Sequence, residues 1–203
     1  MMAFDIGANV GKIAVELLYD FDKVICVEAN TGLIKKLKQR FQDKNVTVVS
    51  AAVADVEGNT LDFYVSDENT LSTASIDWMT KSRFAKTSCW KTPIRVPVVT
   101  MDGLIALYGI PQFAKVDVEG FELSVFKGLS HPIPLLCFEW AEELFEATIQ
   151  CVEHLQHIGY KLFAVTHGEY QRSQLNTLCY DTWEKLIFNT HDMKRYGMVW
   201  ARM

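Results

Sequence analysis

The chain has 203 residues, 49% of them apolar, enough to bury one substantial core, and it reads as a single domain over residues 1–203. Its formal net charge of −5 argues against nucleic acid as the main partner, because neutralising phosphates needs a basic footprint. No apolar stretch reaches membrane-span length, and the five cysteines (Cys26, Cys89, Cys137, Cys151 and Cys179) lack the spacing of a zinc site or a disulfide framework, so a cytoplasmic protein is expected.

Strand and helix patterns alternate, as in a parallel sheet covered on both faces. Met2–Ile6 reads as the first strand, and no leader peptide is expected ahead of it because Asp5 already belongs to a motif. That motif is Asp5-Ile6-Gly7-Ala8-Asn9-Val10-Gly11, which leads into a helix from Val10 to Tyr19. A dinucleotide turn needs G-x-G-x-x-G, whose middle glycine lets backbone approach a pyrophosphate. Here Ala8 and Asn9 fill the space between Gly7 and Gly11. The spacing gives a tight turn and close helix packing without an evident phosphate cradle. The second strand, Lys23–Glu28, ends on an acid whose two oxygens suit a ribose diol. S-adenosylmethionine, with an adenosine and no phosphate, fits this combination.

Asn30 or Thr31 is expected to cap the next helix, which buries Leu33, Leu37 and Phe41 and leaves Lys35, Lys36, Lys38 and Arg40 as a solvated face. Val46–Val53 reads as the third strand. Glu57-Gly58-Asn59-Thr60 is a turn, and Leu61–Val65 alternates like an antiparallel strand. Residues 66–92 form a long irregular insertion carrying Trp78, Phe84 and Trp90, read as a lid or acceptor-binding loop, or else as a packed excursion. Ile94–Val99 is extended, and Asp102 is expected to cap a short helix to Tyr108. Phe113–Val118 is the fourth core strand, with a helix over Phe121–Lys127, and Leu135–Trp140 is the fifth. The helix Glu142–Ile158 carries His154 and His157, read as solvated histidines rather than metal ligands. Lys161–Val165 and Leu186–Asn189 are expected as the last strands, and residues 190–203 form an aromatic tail without a readable role.

Four acids fall at the ends of successive parallel strands, where an open sheet binds its ligand: Asp5, Glu28, Asp117 and Glu139. They suit a sulfonium cation and would repel a pyrophosphate. Ala29 can lie against an adenine, with Ala52 and Val53 as the opposite wall.

The first motif, Cys26-Val27-Glu28-Ala29-Asn30, Ala52-Val53-Ala54-Asp55, Leu71-Ser72-Thr73-Ala74-Ser75 and above all Lys115-Val116-Asp117-Val118-Glu119-Gly120-Phe121-Glu122 resemble the FkbM family of S-adenosylmethionine-dependent methyltransferases. The resemblance runs from Phe4 to Trp140, with a weaker echo at Leu186-Ile187-Phe188-Asn189. It implies the class I methyltransferase fold, a Rossmann-like three-layer sandwich. Its sheet has seven strands, mostly parallel with an antiparallel last strand, and here carries a hairpin and loop insertion after the third strand. It also implies O-methylation of a sugar or small-molecule hydroxyl. Members commonly carry sequence ahead of the first strand, so a covering helix is expected to be missing or supplied by a partner.

On these grounds Asp5, Gly7, Ala8, Asn9, Gly11, Glu28, Ala29, Ala52, Val53 and Asp117 are assigned to the cofactor, and Glu119 or Glu139 to the general base. A divalent ion beside Asp117 and Glu139 is conceivable but not expected, for want of an evident third ligand. Two other readings are carried: a non-catalytic binding module on the same fold, and a nicotinamide-dependent oxidoreductase, which the missing middle glycine disfavours.

Overall fold

The structure, a computed structural model, describes residues 1–188 and 196–203. The apolar runs become strands and the amphipathic runs become helices, in the order β1 (Met2–Ile6), α1 (Lys12–Leu17), β2 (Lys23–Glu28), α2 (Thr31–Arg40) and β3 (Val46–Ser50). An insertion follows, with β4 (Ala52–Val53), β5 (Thr60–Phe63), α3 (Ile76–Lys81) and β6 (Ile94–Val99). Then come α4 (Met101–Tyr108), β7 (Phe113–Val116), α5 (Glu122–Lys127), β8 (Leu135–Ala141), α6 (Phe145–His157), β9 (Leu162–His167), α7 (Trp183–Phe188) and β10 (Tyr196–Arg202).

The main sheet has seven strands in the order β3-β2-β1-β7-β8-β10-β9, with β10 antiparallel to both neighbours. The chain reverses its winding between β1 and β7, so the carboxyl ends of β2, β1, β7 and β8 frame a crevice. Side-chain alternation sorts the strands between two cores. Phe4, Ala114, Val116 and Phe138 pack with residues of α4, α5, α6 and α7. Ala3, Val24, Phe113 and Trp200 pack with Ala14 and Leu17 of α1, Leu37 of α2 and Phe41 at the C-terminal end of α2. Phe4, Phe113, Phe126 and Phe138 are fully buried, and each contributes about 1.5–3 kcal/mol by leaving water. No helix among the described residues is long and apolar enough to cross a membrane.

The expected third strand breaks in two. The Ala51 N–H donates to the Glu28 carbonyl at 3.1 Å, the last one β2 offers. Beyond it β3 has no neighbour, so Ala52–Val53 pairs with Val98–Val99 in a second sheet ordered β4-β6-β5. The antiparallel strand before the loop is β5, paired with β6. Asn30 caps α2, its side chain accepting from the Gly32 N–H, and the four basic residues of that helix are exposed. The cap of α4 is Thr100, accepting from Gly103 N–H, whereas Asp102 sits in the first turn and accepts from the Ser130 N–H.

Three expectations near the C-terminus are corrected. Residues 186–188 belong to α7 rather than to a strand, and Asn189 lies outside the described residues. The final strand is β10, within the stretch read as a tail. Its run Gly-Met-Val-Trp-Ala is buried throughout, so it lacks the alternation that marks a half-exposed strand. His154 is not simply solvated: its Nε2 lies 3.1 Å from the Leu129 carbonyl, while His157 is exposed.

Candidate active site

The turn after β1 sets the floor of the crevice. Gly7 has φ +78°, and a Cβ there would stand 1.8 Å from the Asp117 carbonyl oxygen. Only glycine lets the first turn press against the end of β7 in this way. Gly11 serves differently. A Cβ there would meet the Phe41 ring at 2.5 Å, so this glycine seats α1 against α2 and does not line the cavity.

A cavity of about 730 Å³ opens above this turn, lined by Gly7, Ala8, Asn9, Glu28, Ala29, Ala52, Val53, Asp117, Glu119 and Glu139. Ten of the twelve residues assigned from sequence therefore face one space, and Asp5 and Gly11 do not. Asp5 was expected at the ligand. Instead it is fully buried below the floor, its carboxyl oxygens without a hydrogen-bond partner. Burial pushes its pKa up to about 6, against the opposing charge of Lys115.

At one end of the cavity the Glu28 carboxylate accepts the Asn9 N–H at 2.7 Å and the Asn30 N–H at 2.6 Å, one on each oxygen. Burial raises its pKa and these two N–H groups act against that rise. Each oxygen keeps a second lone pair, so the fixed carboxylate can still receive two hydroxyl protons. The Asn9 Oδ1 is buried without a partner in the same turn, a polar atom that a ligand would satisfy. Ala29, Ala52 and Phe63 belong to one apolar cluster beside it. These residues fit the adenosine of a methyl donor: a diol acceptor, apolar walls for a base, and no phosphate cradle.

The other end is acidic. Carboxylate oxygens of Asp117, Glu119 and Glu139 all lie within 4.8 Å of one another. Glu119 is the third oxygen donor that the sequence did not show, brought inward by a left-handed backbone (φ 54°) whose carbonyl accepts the Thr73 hydroxyl at 2.7 Å. Burial first, and the neighbouring acids second, raise Glu119 and Glu139 well above the ordinary carboxylate range. Carboxyls whose pKa is raised in this way, gathered in a cleft, are candidates for general acid–base work.

The 66–92 segment lies over this end. Ser75 caps α3 by accepting from the Trp78 N–H, and the Trp90 indole donates to the Leu71 carbonyl at 2.8 Å. Trp78 and Phe84 line the cavity, yet Trp78 is 2% exposed and packs with Leu71 and Ala141. Trp78 therefore anchors the loop, and Phe84, half-buried, is the more open wall of the two. Arg83 ties the loop down through its Nε at 2.9 Å and Nη2 at 2.8 Å to Glu143, and its guanidinium lies 5.1 Å from the Tyr196 ring. Although burial opposes ionisation, these bonds hold Glu143 below the usual carboxylate range.

Sequence reasoning missed Lys115, Arg83, Tyr196 and Phe63, all of which line the cavity. Lys115 alone carried a signal, as a charge inside the otherwise apolar strand Phe-Ala-Lys-Val.

The fold and this crevice define a class I methyltransferase. Precorrin-6y C5,15-methyltransferase from Geobacter metallireducens is similar over 99% of this chain and 78% of that one, with a TM-score of 0.51 at 13% identity. Fibrillarin from Aeropyrum pernix, solved with natively bound S-adenosyl-L-methionine, aligns over 98% of this chain and 65% of its own, with a TM-score of 0.49 at 10% identity. An rRNA methylase from Streptococcus thermophilus aligns over 99% and 85%, with a TM-score of 0.49 at 10% identity. No curated protein matches the sequence. The model of the methyltransferase FkbM domain matches residues 5–162. The chain belongs to the FkbM methyltransferase family.

Proposed function

We propose that the protein transfers a methyl group from S-adenosylmethionine to a hydroxyl of a sugar or other small molecule. The observation that carries this reading is the two-ended cavity, with Glu28 fixed by two N–H groups at one end and the paired carboxyls of Glu119 and Glu139, beside Asp117, at the other. When bound, the donor supplies an electrophilic methyl on a positively charged sulfur. Glu28 receives the ribose hydroxyls, Ala29, Ala52 and Val53 flank the base, and Asp117 faces the cationic part of the donor. Phe84 and Trp78 give the acceptor an apolar wall while the loop keeps water out. Holding acceptor and methyl in line is worth roughly 7–11 kcal/mol when the geometry is right. Glu119 or Glu139 takes the hydroxyl proton as the new bond forms, a contribution of about 10²–10⁴-fold.

Lys115 bonds Asp117 Oδ2 at 2.8 Å, and this reading routes nothing through a metal ion. The five free cysteines suit a reducing cytoplasm. Labelled methyl donor incubated with a panel of sugars, phenols and amines tests the proposal. Label is expected on oxygen. Label found on nitrogen or carbon alone would overturn the choice of a hydroxyl.

A further inference from the structure

Lys115 is a buried cation that the transfer step itself does not use. Its side chain is 5% exposed, and its ammonium bonds Asp117 Oδ2 at 2.8 Å. An ammonium withdrawn from water is costly unless paired, so the pair exists because both partners are held in place. The two ends of the pair differ. Both residues line the cavity, but the Asp117 side chain is 28% exposed against 5% for Lys115, and no partner for its Oδ1 occurs among the described residues.

Strand geometry fixes this arrangement. Lys115 and Asp117 are two apart at the end of β7, so both project to the same face of the sheet. Asp5 pairs with Lys115 in register across β1 and β7, and its carboxyl oxygens have no hydrogen-bond partner. The ammonium therefore has one buried carboxylate beside it and bonds the other, which faces the cavity. The Asp117 backbone is fixed as well, since its carbonyl fills the space where a Gly7 Cβ would stand, and its N–H donates to the Ile6 carbonyl at 3.1 Å.

We propose that Lys115 is a positioning residue that holds the Asp117 carboxylate toward the ammonium of the donor's amino-acid end. The inference rests on the donor reading given above. Glu28 and Asp117 sit at the ends of β2 and β7, on either side of β1. Two strand spacings separate them, roughly 10 Å, room for the ribose at Glu28 and the methionyl end at Asp117. Cys26 and Cys137, the flanking residues in register with Asp5 and Lys115, are buried thiols whose pKa burial raises, so neither competes for the ammonium as a thiolate.

Titration calorimetry with two ligands separates this role from a structural one. S-adenosylhomocysteine carries the amino-acid end and methylthioadenosine lacks it. Lys115→Met is expected to weaken S-adenosylhomocysteine by about tenfold or more, the scale of one hydrogen bond to a charged group, and to leave methylthioadenosine within twofold. The double variant Asp5→Asn with Lys115→Met removes both buried charges together, and should show the same selective loss if the single variant does not fold. An equal loss of both ligands, or no loss of either, overturns the proposal. A wild-type protein that binds neither ligand would fail the donor reading itself, a result distinct from any outcome with the variants.

Discussion

Glu28→Gln isolates the ribose contact with one atom changed. In the wild type each carboxylate oxygen accepts a backbone N–H, from Asn9 at 2.7 Å and from Asn30 at 2.6 Å. A glutamine keeps one acceptor and turns a donor toward the other N–H. The orphaned N–H costs about 1–3 kcal/mol of stability, or roughly 2–10 °C in Tm for a chain of this size. Part of that loss is returned, because burial works against the Glu28 charge in the folded protein. On the ligand side, losing a charged partner for a ribose hydroxyl costs about 1.5–3 kcal/mol, roughly 10–150-fold in Kd. S-adenosylhomocysteine and methylthioadenosine should weaken together, since both carry the ribose, and calorimetry at pH 7.5 reads both. A Kd for both ligands within twofold of wild type would refute the ribose assignment.

Gly7→Ala places a methyl group on the Asp117 carbonyl in a left-handed backbone; urea denaturation should show a loss of about 2–5 kcal/mol, and a loss below 0.5 kcal/mol would mean that the turn can open. Asp5→Asn tests the buried carboxyl. Its folded pKa lies above the unfolded value, so its stabilising share is full below about pH 4 and is lost as pH rises through about 6. The variant should match wild type at pH 4 and gain relative stability up to pH 7, by about 3 kcal/mol, because the rise of the Asp5 pKa from 3.8 to about 6 counts 1.36 kcal/mol per pKa unit; a difference that does not change with pH would contradict this. Phe84→Ala should raise acceptor KM with the Kd for S-adenosylhomocysteine unchanged, whereas Trp78→Ala should also lower Tm because Trp78 is buried; preserved KM in both would place the acceptor elsewhere. Chelation by EDTA should leave turnover unchanged, and loss restored by magnesium would make the three-carboxylate cluster a metal site.

The sequence was most legible where one residue type is forced. Gly7 and Gly11 are forced because a Cβ would stand 1.8 Å from the Asp117 carbonyl oxygen at the first and 2.5 Å from the Phe41 ring at the second, and Glu28 by two N–H groups at a strand end. The parallel core was legible because its strands are continuous apolar runs bounded by turns. The place of Asp5 was not legible, because a strand-end acid looks the same in sequence whether its side chain lines the cavity or turns below the floor. Only the register with Lys115 tells the two apart. Tyr196–Arg202 was not legible as a strand, since its partners in β8 and β9 lie 30 (Gly197 to His167) to 67 (Arg202 to Leu135) residues earlier in the chain and its burial on both faces removes any period. Glu119 entered the cluster through a left-handed backbone held by Thr73, 46 residues away, a contact that no local pattern announces.

The most direct test of the account is calorimetric titration of the wild-type protein with S-adenosylhomocysteine and, separately, with NAD. One molecule of S-adenosylhomocysteine per chain should bind and NAD should give no heat, because Glu28 accepts a ribose while the Gly7–Gly11 turn offers no cradle to a pyrophosphate. Binding of NAD with no response to S-adenosylhomocysteine would contradict it.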